Sequence, residues 1–99
     1  MPHLRLTTIR ATPGRLGDLL HVVRHSLLPV VRGAAGFQGY QLLTRPEDDT
    51  CAVLTRWASE ADLRASLPRG VPTLLTSGPI NALLHDVRVE EYVVAEEEL

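Results

Sequence analysis

The chain has 99 residues, 44% of them hydrophobic, and a formal net charge of −2. That length admits one small domain and excludes a doubly wound dinucleotide-binding fold, an eight-unit β/α barrel or a long repeat array. The weak negative charge excludes general nucleic-acid affinity, and the absence of lysine excludes Schiff-base and lysine general-base chemistry.

Leucine and valine dominate the apolar set, and only Phe37, Tyr40, Trp57 and Tyr92 are aromatic. An aliphatic core is expected, and each aromatic becomes conspicuous. The single cysteine, Cys51, has no internal disulfide partner, which fits a reducing compartment. The N-terminal Met1-Pro2-His3-Leu4-Arg5 lacks the apolar core of a secretory signal, and no apolar run approaches the ~20 residues of a membrane span. A soluble, cytoplasmic protein with no membrane partner is expected. Glu96, Glu97 and Glu98 form an acidic end, so residues 1–95 read as the domain and 96–99 as a solvated tail.

Leu4 to Ala11 reads as a strand, which Thr12-Pro13-Gly14 breaks. From Arg15 the period changes. Leu16, Leu19, Leu20, Val23, Leu27, Val30 and Val31 recur at helical spacing and share one face. Thr12 is the candidate N-cap, with Pro13 pre-set for the first turn. Pro29 removes one helix hydrogen bond, towards the His25 carbonyl, and predicts a bend in a helix that continues to Gly33.

Phe37 to Arg45 is the second strand, Pro46 to Thr50 a polar turn, and Cys51 to Trp57 the third strand, together a hairpin. Ser59 with Asp62 three residues on is a capping pair for a second helix, running to about Leu67 and stopped by Pro68. Thr73-Leu74-Leu75 and Ile80 to Leu84 read as short helical turns. His85 to Val94 is the last strand, with Val87, Val89 and Val93 on one face.

The order β-α-β-β-α-β defines an α+β, ferredoxin-like fold: a four-stranded antiparallel sheet with both helices on one face. The other face should then be polar in a monomer. Cys51, Val53, Thr55 and Trp57 alternate with Ala52, Leu54 and Arg56; Phe37, Gly39, Gln41 and Leu43 alternate with Gln38, Tyr40, Leu42 and Thr44. Neither face of the hairpin is cleanly polar. A second copy covering the open face, a homodimer, is the simplest arrangement.

The chain resembles the antibiotic biosynthesis monooxygenase family. The resemblance rests on Thr12-Pro13-Gly14; on Leu28-Pro29-Val30-Val31 followed by Ala35-Gly36-Phe37-Gln38-Gly39-Tyr40; on Trp57-Ala58-Ser59-Glu60 with Leu63; and on Gly78-Pro79. It implies two sheets packed face to face as a dimeric α/β barrel, with a pocket in each subunit between sheet and helices. It also implies oxygenation of a phenolic, quinol or polyketide-like aromatic compound without metal or flavin. The substrate then supplies the electrons, and the protein stabilises a substrate anion and excludes water. The haem-degrading branch of the family uses an Asn on strand one and a His on the second helix. This chain has Leu6, Thr7 and Thr8 on the strand, and Ser66 and Leu67 where that His would stand. The cofactor-free oxygenases often place Asn and Tyr around the tryptophan, where Val53 and Leu63 stand here.

Several residues are candidates for chemistry. Trp57 should face the helices, where its indole N–H could donate to a substrate oxygen or the ring could simply anchor the core. His85 has the imidazole best placed to act as a general base, and Tyr40 offers a phenol. Thr8, Thr55, Ser66 and Leu63 are candidate liners of a site for a small apolar or aromatic ligand. His21 and His25, four apart with Asp18 nearby, have a metal-compatible spacing but lie opposite the apolar stripe, so no metal site is assigned. Arg10, Arg56 and Arg88 share the open sheet face, where they could bind an anion or pair with Glu90 across the dimer. Cys51 reads as a small buried hydrophobe. Two other readings stand beside the oxygenase. One is a non-catalytic small-molecule-binding dimer of the same fold. The other is a regulatory module like the ACT domain, whose ligand loop Thr12-Pro13-Gly14-Arg15-Leu16 resembles.

Overall fold

The computed structural model describes residues 1–66 and 83–98. Strand β1 (His3–Ala11) leads to the helical pieces α1 (Leu16–Val22) and α2 (Leu28–Arg32), joined by a π turn over Val23–Leu27. Strands β2 (Phe37–Arg45) and β3 (Thr50–Trp57) flank a 3₁₀ turn, Pro46–Asp48. Helix α3 (Glu60–Ser66) and strand β4 (Leu84–Val93) complete the order. The sheet runs β2-β3-β1-β4, antiparallel throughout, which is the expected ferredoxin-like topology. The turns expected at Thr73-Leu74-Leu75 and from Ile80, and the stop at Pro68, lie outside the described residues.

Two local features differ from expectation at the long helix. Thr12 does not cap it. The Arg15 N–H bonds the Thr12 carbonyl at 2.9 Å, closing a turn, and α1 begins at Leu16 behind Arg15. Pro29 acts through the turn before it. The Leu28 N–H reaches back five residues to the Val23 carbonyl. This wider turn lies just ahead of the proline, whose ring would clash with a carbonyl in the regular ladder. The extra residue rotates α2 relative to α1. Leu28 is buried, whereas Val30 is 40% exposed.

Ile9, Ala11, Leu19, Val23, Leu27, Leu28, Cys51 and Val53 form the core between the long helix and the sheet. The capping pair forms as expected. Ser59 Oγ accepts from the Asp62 N–H at 3.1 Å and donates to the Asp62 carboxylate at 3.0 Å. The Ala58 N–H, just before it, bonds the Gly36 carbonyl at 2.8 Å. Among the described residues, no helix is long and apolar enough to cross a membrane.

Candidate functional site

Strand registry arranges the helix-facing side chains in rows across β2-β3-β1-β4. Phe37, Trp57, His3 and Val93 form the first row, and Tyr40, Thr55, Arg5 and Glu91 the second. Leu42, Val53, Thr7 and Val89 come next, then Thr44, Cys51, Ile9 and Val87. Simple alternation puts Phe37 and Tyr40 on opposite faces, but a bulge between Phe37 and Gly39 inserts one residue and brings both to the helix side. Gly39 has φ 153°, a conformation glycine adopts without steric cost. The aromatic rings then meet edge to face, Phe37 with Trp57 at 5.7 Å and with Tyr40 at 6.4 Å.

Trp57 is fully buried, and its indole N–H donates to Thr55 Oγ1 at 3.0 Å. The Thr55 hydroxyl donates in turn to the Arg5 carbonyl at 3.5 Å. Tyr40 is half-buried; its phenol oxygen accepts from Arg32 at 3.0 Å, and the guanidinium carbon lies 5.2 Å from the ring centroid. Leu63 and Ser66 are buried on α3, above the second row. Trp57, Tyr40, Thr55, Leu63 and Ser66 are thus gathered on one side of the sheet.

His85 and Thr8 are not in this group. His85 is exposed and falls at the β1–β4 bulge between Arg10 and Ala11, whereas Trp57 pairs with His3. Seven to eight strand positions separate them, about 25 Å at ~3.3 Å per residue. His85 instead rims a hollow with Arg10, Pro13 and Asp49. Thr8 lies between Ala52 and Arg88 and shares the open face with them.

Arg5 joins this group as a further candidate, one that the residue pattern does not single out. Its guanidinium is buried, with Nη1 donating to Ser66 Oγ at 2.7 Å and Nη2 to the Leu63 carbonyl at 2.5 Å and to Glu91 at 3.3 Å. Its Nε is, among the described residues, the one buried side-chain nitrogen or oxygen without a hydrogen-bond partner. Such an orphan donor costs about 1–3 kcal/mol. Leu4 and Leu6 advertise the opposite face of β1 as the core face, which hides Arg5. The signal that points the other way is its alternation with Ile9 and Ala11. A cleft of about 310 Å³ opens over this end of the sheet, lined by Leu63 and Glu91 together with His3, Glu60, Arg64, Tyr92 and Val93.

Other candidates resolve simply. Burial pushes the Cys51 thiol up to about 11, so it is not a thiolate near neutral pH. His21 and His25 are exposed, and Asp18 is engaged by Arg15 at 2.6 Å. Among the described residues, no group of three or more His, Cys, Asp or Glu side chains is placed to hold a metal ion.

On the open face, Leu4, Leu6, Leu43, Ala52, Leu54 and Tyr92 stand among Arg10, Arg56, Arg88 and Glu90. Glu96, Glu97 and Glu98 are all exposed, and Glu97 reaches Arg56 with contacts of 2.6 and 3.1 Å; that guanidinium holds its carboxyl below the usual range.

No curated protein matches the chain in sequence. Solved structures do match in fold. A Pseudomonas aeruginosa protein is 26% identical over 92% of this chain and 91% of its own, with a TM-score of 0.71. SnoaB, a cofactor-independent oxygenase from Streptomyces nogalater, is 15% identical over 97% and 95%, with a TM-score of 0.75. MhuD, solved with manganese protoporphyrin IX bound, is 21% identical over 97% of both chains, with a TM-score of 0.77. At those identities the last two likenesses establish the shared fold. The sequence model of antibiotic biosynthesis monooxygenases matches residues 2–69, which span β1 through α3 and contain Arg5, Tyr40, Thr55 and Trp57, and on that match the chain belongs to the antibiotic biosynthesis monooxygenase family.

Proposed function

We propose that the protein is a small cofactor-independent monooxygenase that oxidises a phenolic or quinol-like aromatic compound held between the sheet and the helices. The observation that carries this reading is the pairing of the two helix-facing rows. An aromatic row, Phe37 and Trp57, adjoins a polar row of Tyr40, Thr55 and Arg5. The first row offers edge-to-face contacts to an aromatic ring. The second offers hydroxyl and guanidinium groups to an oxygen that gains negative charge.

The chemistry balances with dioxygen as the only co-reactant. A phenol loses its proton, and the phenolate gives electrons to O₂ at a ring carbon. One oxygen atom stays on that carbon as a quinone carbonyl, and the other leaves as water with the two hydrogens removed. The protein's part is to hold the anion, orient the ring and exclude bulk water. Tyr40 is the hydroxyl candidate for that anion, since Ser66 already donates its O–H to the Leu63 carbonyl at 2.6 Å, with Trp57 fixing the wall behind it. His85 is left out, because it stands at the other end of the sheet.

The working unit in this reading is a homodimer through the open face, where Leu4 and Leu54 line a hollow of about 340 Å³. Oxygen uptake with a panel of hydroxylated aromatics tests the activity. Uptake that is lost in a folded Trp57→Phe variant supports it, and absence of turnover across the panel overturns it.

One observation favours a second reading, a non-catalytic ligand-binding dimer. The Trp57 N–H is already satisfied by Thr55 and is sealed from solvent. Thermal stabilisation by the same compounds, with no oxygen consumed, selects that reading.

A further inference from the structure

We propose that Arg5 is the specificity-determining residue of this site and that it selects ligands carrying an anionic oxygen, a carboxylate or a phenolate, which docks in place of Glu91. The inference rests on the reading of the helix-facing rows as an aromatic-ligand site and adds the charge of the ligand.

Three observations converge on it. First, the guanidinium cannot move away, whereas its counter-ion can. The Arg5 side chain is 4% exposed, and the Glu91 side chain is 39% exposed. Ser66 and the Leu63 carbonyl grip the guanidinium from α3, while Glu91 reaches it with one oxygen at 3.3 Å, short of the two-oxygen fork that an arginine–carboxylate pair favours. Second, Nε is buried with no acceptor. An incoming oxyanion is the kind of group that such a donor lacks. Third, Leu63 and Glu91, both partners of Arg5, line the cleft. A ligand in that space needs only to displace an exposed carboxylate on the edge strand to reach the guanidinium.

The alternative is that Arg5 only pins α3 to the sheet. The two roles part on the Glu91 side. A structural pin loses stability when Glu91 loses its charge; a ligand site gains affinity, because a competing anion is removed.

The experiment uses the full chain with 4-hydroxybenzoate and 4-hydroxybenzyl alcohol, which share a ring and a phenol and differ in charge. Calorimetry is expected to show 4-hydroxybenzoate bound at least about tenfold tighter, as charge-assisted hydrogen bonds allow. Glu91→Gln is expected to tighten 4-hydroxybenzoate several-fold and to leave the alcohol unchanged. Arg5→Lys keeps a cation at the site and is expected to retain part of the preference. In the wild-type protein the arginine Nε–H resonance of Arg5 should shift on addition of 4-hydroxybenzoate. Equal affinity for the two compounds, or binding of both without movement of that resonance, overturns the inference and leaves the aromatic-site reading standing. Binding of neither overturns both.

Discussion

The indole N–H of Trp57 and the hydroxyl of Thr55 face each other across 3.0 Å, and both groups are buried. The two residues stand on one strand face, two positions apart, so the strand itself sets the geometry. Thr55→Val preserves shape and removes the acceptor. The tryptophan N–H is then buried and unpaired, which is expected to lower stability by about 1–3 kcal/mol. Chemical denaturation measures that loss. Trp57 is the only tryptophan, so its fluorescence reports the same site directly. An unchanged unfolding midpoint would show that the indole finds another acceptor.

A second relationship lies at the entry to α3. Gly36 has φ 78°, and a Cβ built on it would overlap the side chain of Asp62. Asp62 is the residue that Ser59 caps. Gly36→Ala therefore imposes an unfavourable backbone conformation and pushes Asp62 off its cap at once. The combined cost is expected at about 2–3 kcal/mol. Asp62→Gly removes every overlapping atom, including the Asp62 Cβ that an alanine would keep, so Gly36→Ala in that background should cost measurably less. Equal costs in the two backgrounds would refute the clash.

These two sites illustrate how far the sequence could be read. Ser59 and Asp62 announce their cap by spacing alone, because a cap is a local hydrogen bond. Strand order comes from the alternation of periods and from the rules of connection. Trp57 and Tyr40 stand out by scarcity. The features that could not be read depend on one-residue insertions. The bulge before Gly39 moves Phe37 to the other face, and the π turn before Pro29 exchanges Val30 for Leu28. Neither leaves a periodic trace, since each is a single departure from period. Arg5 was hidden for a different reason. A strand between two apolar faces gives no hint of which face the helices take, and an arginine there is ordinarily assigned to water.

At the hairpin turn, Arg45 binds Asp48 through two contacts of 3.0 and 2.8 Å. That hydrogen bonding, joined by one from Thr50, lowers the Asp48 carboxyl from 3.8 to about 2. The folded value lies below the unfolded one. Its stabilisation is therefore present above the unfolded value and is lost as pH falls through about 2. Carboxyl carbon NMR titration should place Asp48 at about 2. In Arg45→Gln it should rise towards the ordinary range and stop short of it, because Thr50 remains. A titration at the ordinary value in the unaltered protein would show that the pair is not held in solution.

The open sheet face carries the last prediction. Leu6 and Leu54 are paired across β1 and β3 at its centre, with Leu4 and Ala52 beside them. Leu43 and Tyr92 are 44% and 49% exposed at its edges. A row of leucines on the two central strands is costly to leave in water, and a second copy of the same face removes it. The protein is expected to sediment at twice the chain mass at micromolar concentration. Leu54→Glu would place a charge at the centre of the interface and should raise the dissociation constant about 100-fold or more. Leu54 is absent from the core between sheet and helices. The substitution should therefore leave the far-ultraviolet circular dichroism unchanged while the sedimentation coefficient falls to that of a monomer. If the unaltered protein already sediments as a monomer, the open face serves something other than self-association. If Leu54→Glu remains dimeric, the two copies meet through a different surface.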